Sequence, residues 1–192
     1  MEGLIFETGI MKERSVRFLK LYEPIHEAFA RFCHAKAYGV LEAEDLISES
    51  VLLALENLHR LKHDEAFLSF MFSIARNIVN NKYRRLKFMG VFNKNEVALM
   101  KDEGLNPEMK HDISVLYSCL NMLPSVQKEA LILFEISGFS IKEVAEIQGS
   151  GESAIKQRLK RGREKLAKIL KADRLAHESL NNRSSILFTM FL

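Results

Sequence analysis

The last third of the chain carries a run of cations and amides, the residue types that bind nucleic acid. Residues 138–166 have the sequence GFSIKEVAEIQGSGESAIKQRLKRGREKL. From Lys156 to Lys171 there are eight basic residues and one acidic residue, Glu164. Lysine and arginine neutralise phosphates, and glutamine or arginine can hydrogen-bond to base edges in a groove. The segment therefore favours a polyanionic partner, although a solvated basic helix face would have the same composition.

The residues before this basic run specify a helix start and a turn. Ser140 and Glu143 have the spacing of a capping box, and Phe139 and Val144 have that of a hydrophobic staple. We expect a short helix that reaches about Gln148. Residues 149–151 would then form a glycine-containing turn, in which the serine could cap the next helix.

The next helix has a buried stripe and a polar face. Ile155, Leu159, Leu166 and Ile169 recur at helical spacing, and Gly162 lies among them. A mid-helix glycine costs about 1 kcal/mol relative to alanine, so a close helix contact is its simplest explanation. The pattern predicts a helix-turn-helix whose second helix fits a major groove, with an ordinary helical hairpin as the alternative. The residues expected to point outward are Glu152, Ser153, Lys156, Gln157, Lys160 and Arg163.

A second polar cluster is predicted on a helix in the first half of the chain. In residues 64–88, Phe67, Phe70, Met71, Ile74 and Ile78 have the spacing of a core face. Amides and guanidinium groups bind base edges, and an aromatic ring among them can stack on an unpaired base. The alternative is an exposed helix end with cations at its C-terminus. The polar residues are Ser73, Arg76, Asn77, Asn80, Asn81, Lys82, Tyr83, Arg84 and Arg85.

The preceding helix is predicted to be acidic on one side. From Glu42 to Glu65 there are seven acidic and two basic residues. Asp45, Glu49 and Leu52 lie on one line of this helix, apart from its apolar stripe. Such a face suits docking onto a basic partner helix, while a solvated acidic face is the plainer interpretation.

Enzymatic chemistry finds little support in the sequence. His59 and His63 are four residues apart and could share a zinc ion on a helix, but no third ligand completes the site. The chain has no nucleophile elbow, P-loop or glycine-rich nucleotide loop. Cys33 and Cys119, the two cysteines, have no CxxC pattern and favour thiols in a reducing compartment. We therefore expect no enzyme activity, no cofactor and no metal.

Composition and periodicity predict an all-α protein. The apolar share of 47% is enough for a core, there are three prolines, and alternating strand patterns are absent. Residues 93–112 have weak periodicity and mixed charge, which favours a flexible linker between two small helical domains. The expected units are residues 1–92, the linker 93–112, a helix-turn-helix domain 113–171 and an unassigned tail 172–192, whose apolar end is too short to span a bilayer.

Taken together, these segments resemble a known family. LPSVQKEALILFEISG with the helix-turn-helix that follows is similar to the C-terminal DNA-binding domain of bacterial sigma factors of the sigma-70 family, extracytoplasmic-function (ECF) group. AEDLISESVLLALENL followed by FLSFMFSIARNIVNNKYRR is similar to that family's N-terminal domain. The resemblance covers about residues 17–171. It implies a cytoplasmic protein that binds core RNA polymerase and promoter DNA, directs DNA opening and initiation, and is a partner for an anti-sigma factor.

The resemblance also implies three sets of site residues. The polymerase-docking set is Asp45, Leu46, Glu49 and Leu52. The set for the minus-ten element is Arg76, Asn77, Asn80, Asn81, Tyr83, Arg84 and Arg85. The set for the minus-thirty-five element is Ser153, Ala154, Lys156, Gln157, Arg158, Lys160 and Arg161. The alternative function is a helix-turn-helix regulator that acts without being a polymerase subunit.

Overall fold

The computed structural model describes the backbone of residues 2–89 and 107–190, and the side chains of residues 12–89 and 111–172. Over these backbone ranges the chain forms eight α-helices and no strand, which confirms the all-α prediction. The helices divide into an N-terminal half, α1–α4, and a C-terminal half, α5–α8. No helix of the described residues is long and apolar enough to cross a membrane.

The N-terminal half begins with two helices separated by a turn. α1 spans Glu2–Tyr22 and α2 spans His26–Ala37, with a 3-10 turn at Glu23–Ile25 between them. The helix is interrupted at this turn because Pro24 lacks the N–H that a continuous helix needs. Gly39, at a φ of 75°, follows the end of α2 in the left-handed conformation that glycine adopts without strain.

The remaining helices of this half pack around an aromatic core. α3 spans Ala43–Asn57 and α4 spans Phe67–Phe88. Phe72 on α4 makes edge contacts with Phe29 and Phe32 of α2, with ring centroids 5.2 and 4.8 Å apart. These buried rings fix α4 against α2 and leave the opposite side of α4 in solvent.

The C-terminal half contains four helices. α5 spans Pro107–Asn121 and α6 spans Ser125–Leu131, followed by a π-helical turn at Ile132–Ile136. α7 spans Ile141–Ile147 and α8 spans Glu152–Met190. Residues 107–112 of the predicted linker thus belong to α5, and residues 93–106 lie outside the described residues.

The structure confirms the predicted capping box at the start of α7 and contradicts the predicted cap of α8. The Ser140 Oγ accepts from the Glu143 N–H at 3.3 Å, and the Ser140 N–H donates to the Glu143 carboxylate at 2.8 Å, which completes the capping box. The prediction that Ser150 caps α8 is wrong, because its hydroxyl donates to the Gln148 carbonyl at 3.2 Å. The carbonyl of Gly151 instead accepts the first bonds of α8.

The two halves pack directly against each other. The Phe72 ring of α4 lies edge-on to Phe139 of the C-terminal half, with centroids 5.2 Å apart. The Tyr38 hydroxyl, at the end of α2, donates to Ser114 Oγ on α5 at 2.9 Å. Buried apolar residues of both halves form one continuous core, so the contact between the halves includes a shared hydrophobic interior.

Candidate nucleic-acid interface

The first turns of α8 present the face that the sequence assigned to duplex DNA. Ile155 and Leu159 are buried at 0% and 2% exposure, and they anchor the helix on α7 and α6. Because these two residues fix the rotation of α8, the polar residues between them face outward. Ser153, Lys156, Gln157, Lys160 and Arg161 are exposed, while Ala154 and Arg158 are half-buried.

Arg158 is held by a residue that sequence reasoning did not assign to the site. Its Nη1 donates to Gln148 Oε1 at 2.7 Å, and Gln148 Nε2 donates to the Val126 carbonyl at 3.2 Å. This chain of bonds links the turn and α6 to the recognition face. No local pattern in the sequence signals it, because the three residues meet only when the helices pack.

Gly162 permits the close helix contact that its position in α8 predicted. A Cβ at this residue would lie 3.1 Å from Leu131 Cδ1 and 3.6 Å from Gln127 Cβ on α6. α8 therefore lies on α6 at a separation that a larger side chain would increase. The predicted outward residue Arg163 bonds within the same half, to Glu135 at 2.6 Å.

α4 presents a second polar surface, separate from α8. The C-terminal half of this helix carries two arginines, three asparagines and a tyrosine with solvent-exposed side chains. Tyr83 is 40% exposed, and Arg84 donates to the side-chain oxygen of Asn81. Ser73, by contrast, donates to the Phe70 carbonyl within the helix. The exposed members of the predicted set are Asn77, Asn80, Asn81, Tyr83, Arg84 and Arg85.

Arg76 differs from the rest of the predicted set on α4. Its Nη1 lies 3.5 Å from Glu129 Oε1, and its Nη2 donates to the Ile147 carbonyl at 3.4 Å. Both partners belong to the C-terminal half. The structure thus turns this guanidinium toward α6 and α7, whereas Arg84 and Arg85 face solvent.

The acidic face of α3 is present, with one member of the predicted set inside the core. Asp45 and Glu49 are exposed, and Leu52 is 56% exposed. Leu46 has 0% exposure, so its side chain supports α3 from within and offers no surface to a partner. A groove of 480 Å³ separates Asp45 and Glu49 of α3 from Asn77, Asn81 and Arg85 of α4. The acidic and the basic surfaces are therefore neighbours across one groove.

The two histidines do not form the helical pair that a zinc site would need. His59 lies in a 3-10 turn at Leu58–Arg60, with its Nδ1 2.9 Å from the Glu56 carbonyl oxygen. His63 is in extended backbone before the next turn. In the part of the chain that the structure describes, no group of three possible ligands comes together.

The two cysteines, Cys33 and Cys119, are buried and do not form a disulfide. Burial raises the pKa of Cys33 well above its usual value, so this thiol stays protonated and unreactive. The cysteines therefore contribute to packing, as small apolar side chains do.

Comparison with protein-family models assigns both halves. The model for sigma-70 region 2 matches residues 21–88, and the model for sigma-70 region 4 matches residues 113–166. The chain belongs to the sigma-70 family. These matches cover α4 and the start of α8, so the two polar surfaces lie in the two conserved regions of a sigma factor.

Relatives place the sigma factor in the ECF group. It is 32% identical to the ECF RNA polymerase sigma factor EcfG of Rhodopseudomonas palustris (strain TIE-1) over 133 residues, which cover 68% of this chain and 72% of EcfG. It is 26% identical to the ECF RNA polymerase sigma factor SigX of Bacillus subtilis (strain 168) over 160 residues, which cover 79% of this chain and 82% of SigX.

A solved structure has the same fold. The sigma factor RpoE from Bartonella quintana, crystallised with the anti-sigma factor NepR, superposes with a TM-score of 0.63 at 28% identity, covering 81% of this chain and 98% of RpoE. The protein is thus a sigma factor that directs promoter-specific transcription initiation with RNA polymerase. The matches to both regions set aside a regulator that acts without polymerase.

Proposed function

We propose that the two polar surfaces divide promoter recognition between an opened strand and an intact duplex. The exposed face of α8 would bind the minus-thirty-five element in its major groove. The exposed face of α4 would hold unpaired bases of the minus-ten element. The observation that supports this division is the pair of separate surfaces, one with a helix-turn-helix geometry and one with amides, cations and an exposed tyrosine ring.

The α4 surface has the chemistry that single-stranded DNA requires. Tyr83 offers a ring for base stacking, which contributes roughly 1–3 kcal/mol per base. The asparagine amides can bond to base edges, and Arg84 and Arg85 can neutralise phosphates. Trapping of bases that have left the stack would offset the cost of opening the duplex, so no catalytic group is needed on this chain. RNA synthesis would belong entirely to the polymerase.

The exposed acidic face of α3 would dock on polymerase. Asp45 and Glu49 present carboxylates beside the exposed Leu52, a combination that suits a basic helical partner. We infer that Leu46 acts on this interaction only by holding α3 in place. We further propose that the protein acts in the cytoplasm and is controlled by an anti-sigma factor, as the complex of RpoE with NepR suggests.

Transcription in vitro with core polymerase tests the division between the surfaces. Tyr83→Ala should reduce initiation on a duplex promoter and regain most of it on a promoter with a pre-melted minus-ten region. Gln157→Ala should show the same deficit on both templates, because it acts on duplex DNA upstream. Equal deficits for the two variants on both templates would contradict the division.

Polymerase docking has its own test with a matched charge reversal. Glu49→Lys should weaken binding to core polymerase while the circular dichroism spectrum stays unchanged. Glu65→Lys is the control, because this exposed carboxylate lies in the turn at Asp64–Ala66, off the α3 face. Normal binding by Glu49→Lys, or an equal loss with the control, would remove the α3 face from the interface.

A further inference from the structure

Three charged residues meet between the two halves of the molecule. Lys36 Nζ on α2 donates to Glu129 Oε2 on α6 at 2.8 Å, and both side chains are 6% exposed. Arg76 Nη1 on α4 lies 3.5 Å from the other oxygen of the same carboxylate. We refer to Lys36, Arg76 and Glu129 as the buried triad. Within the described side chains, Lys36 and Glu129 are the only charged residues that are fully buried.

A buried ion pair is a costly way to hold an interface together. Removing two charges from water costs several kcal/mol per ion, and an apolar pair of similar size is often as stable or more stable. Attraction between the opposite charges offsets this desolvation cost while the partners are in contact. The triad draws its anion from the C-terminal half and its cations from the N-terminal half, so separation returns all three charges to water.

The contacts around the buried triad are both polar and apolar. Arg31 Nη2 donates to the Ser137 carbonyl at 3.0 Å, and the Tyr38 hydroxyl bonds to Ser114. Phe72 against Phe139 supplies an apolar contact. The interface thus combines two ring contacts, Phe72 with Phe139 and Tyr38 with Tyr117, and a shared apolar core with several polar bonds that water can replace when the halves separate.

When the two halves are in contact, which we call the closed arrangement, Arg76 of the proposed α4 surface is bound to the C-terminal half. While Arg76 binds Glu129 and the Ile147 carbonyl, its guanidinium is not available to a phosphate or a base edge. The turn at Gly149 also lines one groove together with Ser69, Ser73 and Arg76 of α4. The helix-turn-helix therefore lies beside one end of the α4 surface in this arrangement.

We propose that the buried triad is a reversible latch that keeps the free sigma factor closed and withholds Arg76 from promoter DNA. Binding to polymerase separates the halves, returns Lys36 and Glu129 to water and frees Arg76. The proposal rests on the proposed roles of the two surfaces, since a closed form matters only if the two halves bind separate promoter elements. It adds to those roles a specific set of residues that sets the fraction of open protein.

Small-angle X-ray scattering of the free, full-length protein tests the latch without polymerase. Glu129→Gln keeps the size of the side chain but leaves two cations without their anion, so the radius of gyration should increase. Glu135→Gln is the matched control, because its partner Arg163 lies in the same half and the pair is exposed. A radius equal to that of the wild type for Glu129→Gln would overturn the proposal.

A double variant tests whether the protein stays closed when the ion pair is replaced by an apolar pair. Lys36→Met with Glu129→Leu replaces the ion pair by apolar side chains, which should keep the protein compact. The binding-competent fraction sets apparent affinity, so Glu129→Gln should bind core polymerase about threefold or more tightly than wild type, and the double variant more weakly. Tighter or unchanged binding by a compact double variant would overturn the proposal, including where Glu129→Gln fails to fold.

The proposed function and the latch can each fail without the other. If the wild type does not bind core polymerase, the proposed function fails, while scattering still decides whether Glu129 closes the free protein. If the wild type binds normally and the radius and affinity of both triad variants match it, the latch alone fails.

Discussion

The polar faces of α8 and α4 contain similar residue types but are supported in different ways. The α8 face stands on Ile155 and Leu159, which are buried within the C-terminal half. In the α4 face, by contrast, Arg76 forms an ion pair with Glu129 of the opposite half. One surface is thus complete within its own half, whereas part of the other is engaged by the arrangement of the halves.

Under the proposed function, this difference would allow one binding surface to be controlled separately from the other. The proposed duplex-binding face of α8 needs a fixed helix orientation, and a local core provides it. The proposed strand-binding face of α4 would be required only after the polymerase is in place, so one of its cations can be occupied until then. In the proposed latch, contact between the halves couples the availability of Arg76 to the arrangement of the two halves.

The largest effect should come from damaging the core under α8. Ile155→Ala removes a side chain with 0% exposure and should lower the free energy of unfolding by about 2–5 kcal/mol. Chemical denaturation measures this loss. The adjacent Lys156→Ala, at an exposed position, should change stability by less than about 0.5 kcal/mol while weakening duplex binding. Similar stability losses in both would contradict the separation of core and binding face.

A pair of arginines on α4 should separate support from binding. Arg76→Ala removes a partner of Glu129 and should cost about 1–2 kcal/mol of stability, because hydrogen bonds to charged groups are stronger than neutral ones. Arg84→Ala, at an exposed site, should cost less than about 0.5 kcal/mol. Denaturation of both variants makes the comparison, and equal losses would place the two arginines in the same role.

Lys128 gives the contact region a pH dependence that the α8 face does not share. Burial lowers the pKa of Lys128 to about 8 from 10.5, and the charge of Lys36 adds to this, while Glu129 opposes it. Its amine also donates to Asn121 on α5. The unfolded chain binds this proton more tightly than the folded chain, so this residue's contribution to stability rises as pH increases through 8 toward 10.5.

Removing the amine should abolish that rise. Between pH 7 and pH 9 the wild type should gain roughly 1 kcal/mol relative to Lys128→Met. The difference between the two proteins is the useful quantity, because burial also raises the pKa of Cys33 and that thiol destabilises the fold at high pH. Denaturation at the two pH values provides the measurement, and a constant difference would show that Lys128 keeps its ordinary pKa.

Local signals in the sequence predicted much of the fold and of the α8 face. The capping box at Ser140, the turn and the contact at Gly162 depend on neighbours a few residues apart or on a requirement for space, and each was confirmed. The start of α5 at Pro107, within the predicted linker 93–112, shows the limits of periodicity at helix boundaries.

The contact between the halves could not be predicted in the same way. Lys36 and Glu129 are 93 residues apart, and each has the sequence appearance of an ordinary surface charge. Arg76 likewise belongs to a polar cluster by sequence, and only packing shows that it points elsewhere. Leu46 illustrates the reverse case, because the family resemblance implied a surface contact and the structure buries this side chain.

The smallest effect expected concerns a single cation on the α8 face. Lys160 is exposed one turn after Lys156, and a contact from it to a phosphate would release one counterion. Lys160→Ala should then lower affinity for many duplex sequences alike and reduce the slope of log affinity against log salt by about one unit. Binding titrations from low to moderate salt measure that slope. Lys165→Ala is the control, since it removes an exposed charge farther along the same helix and should leave the slope unchanged. A reduced slope in both variants would mean that the whole helix attracts DNA by its net charge. It would contradict a binding face limited to the first turns of α8.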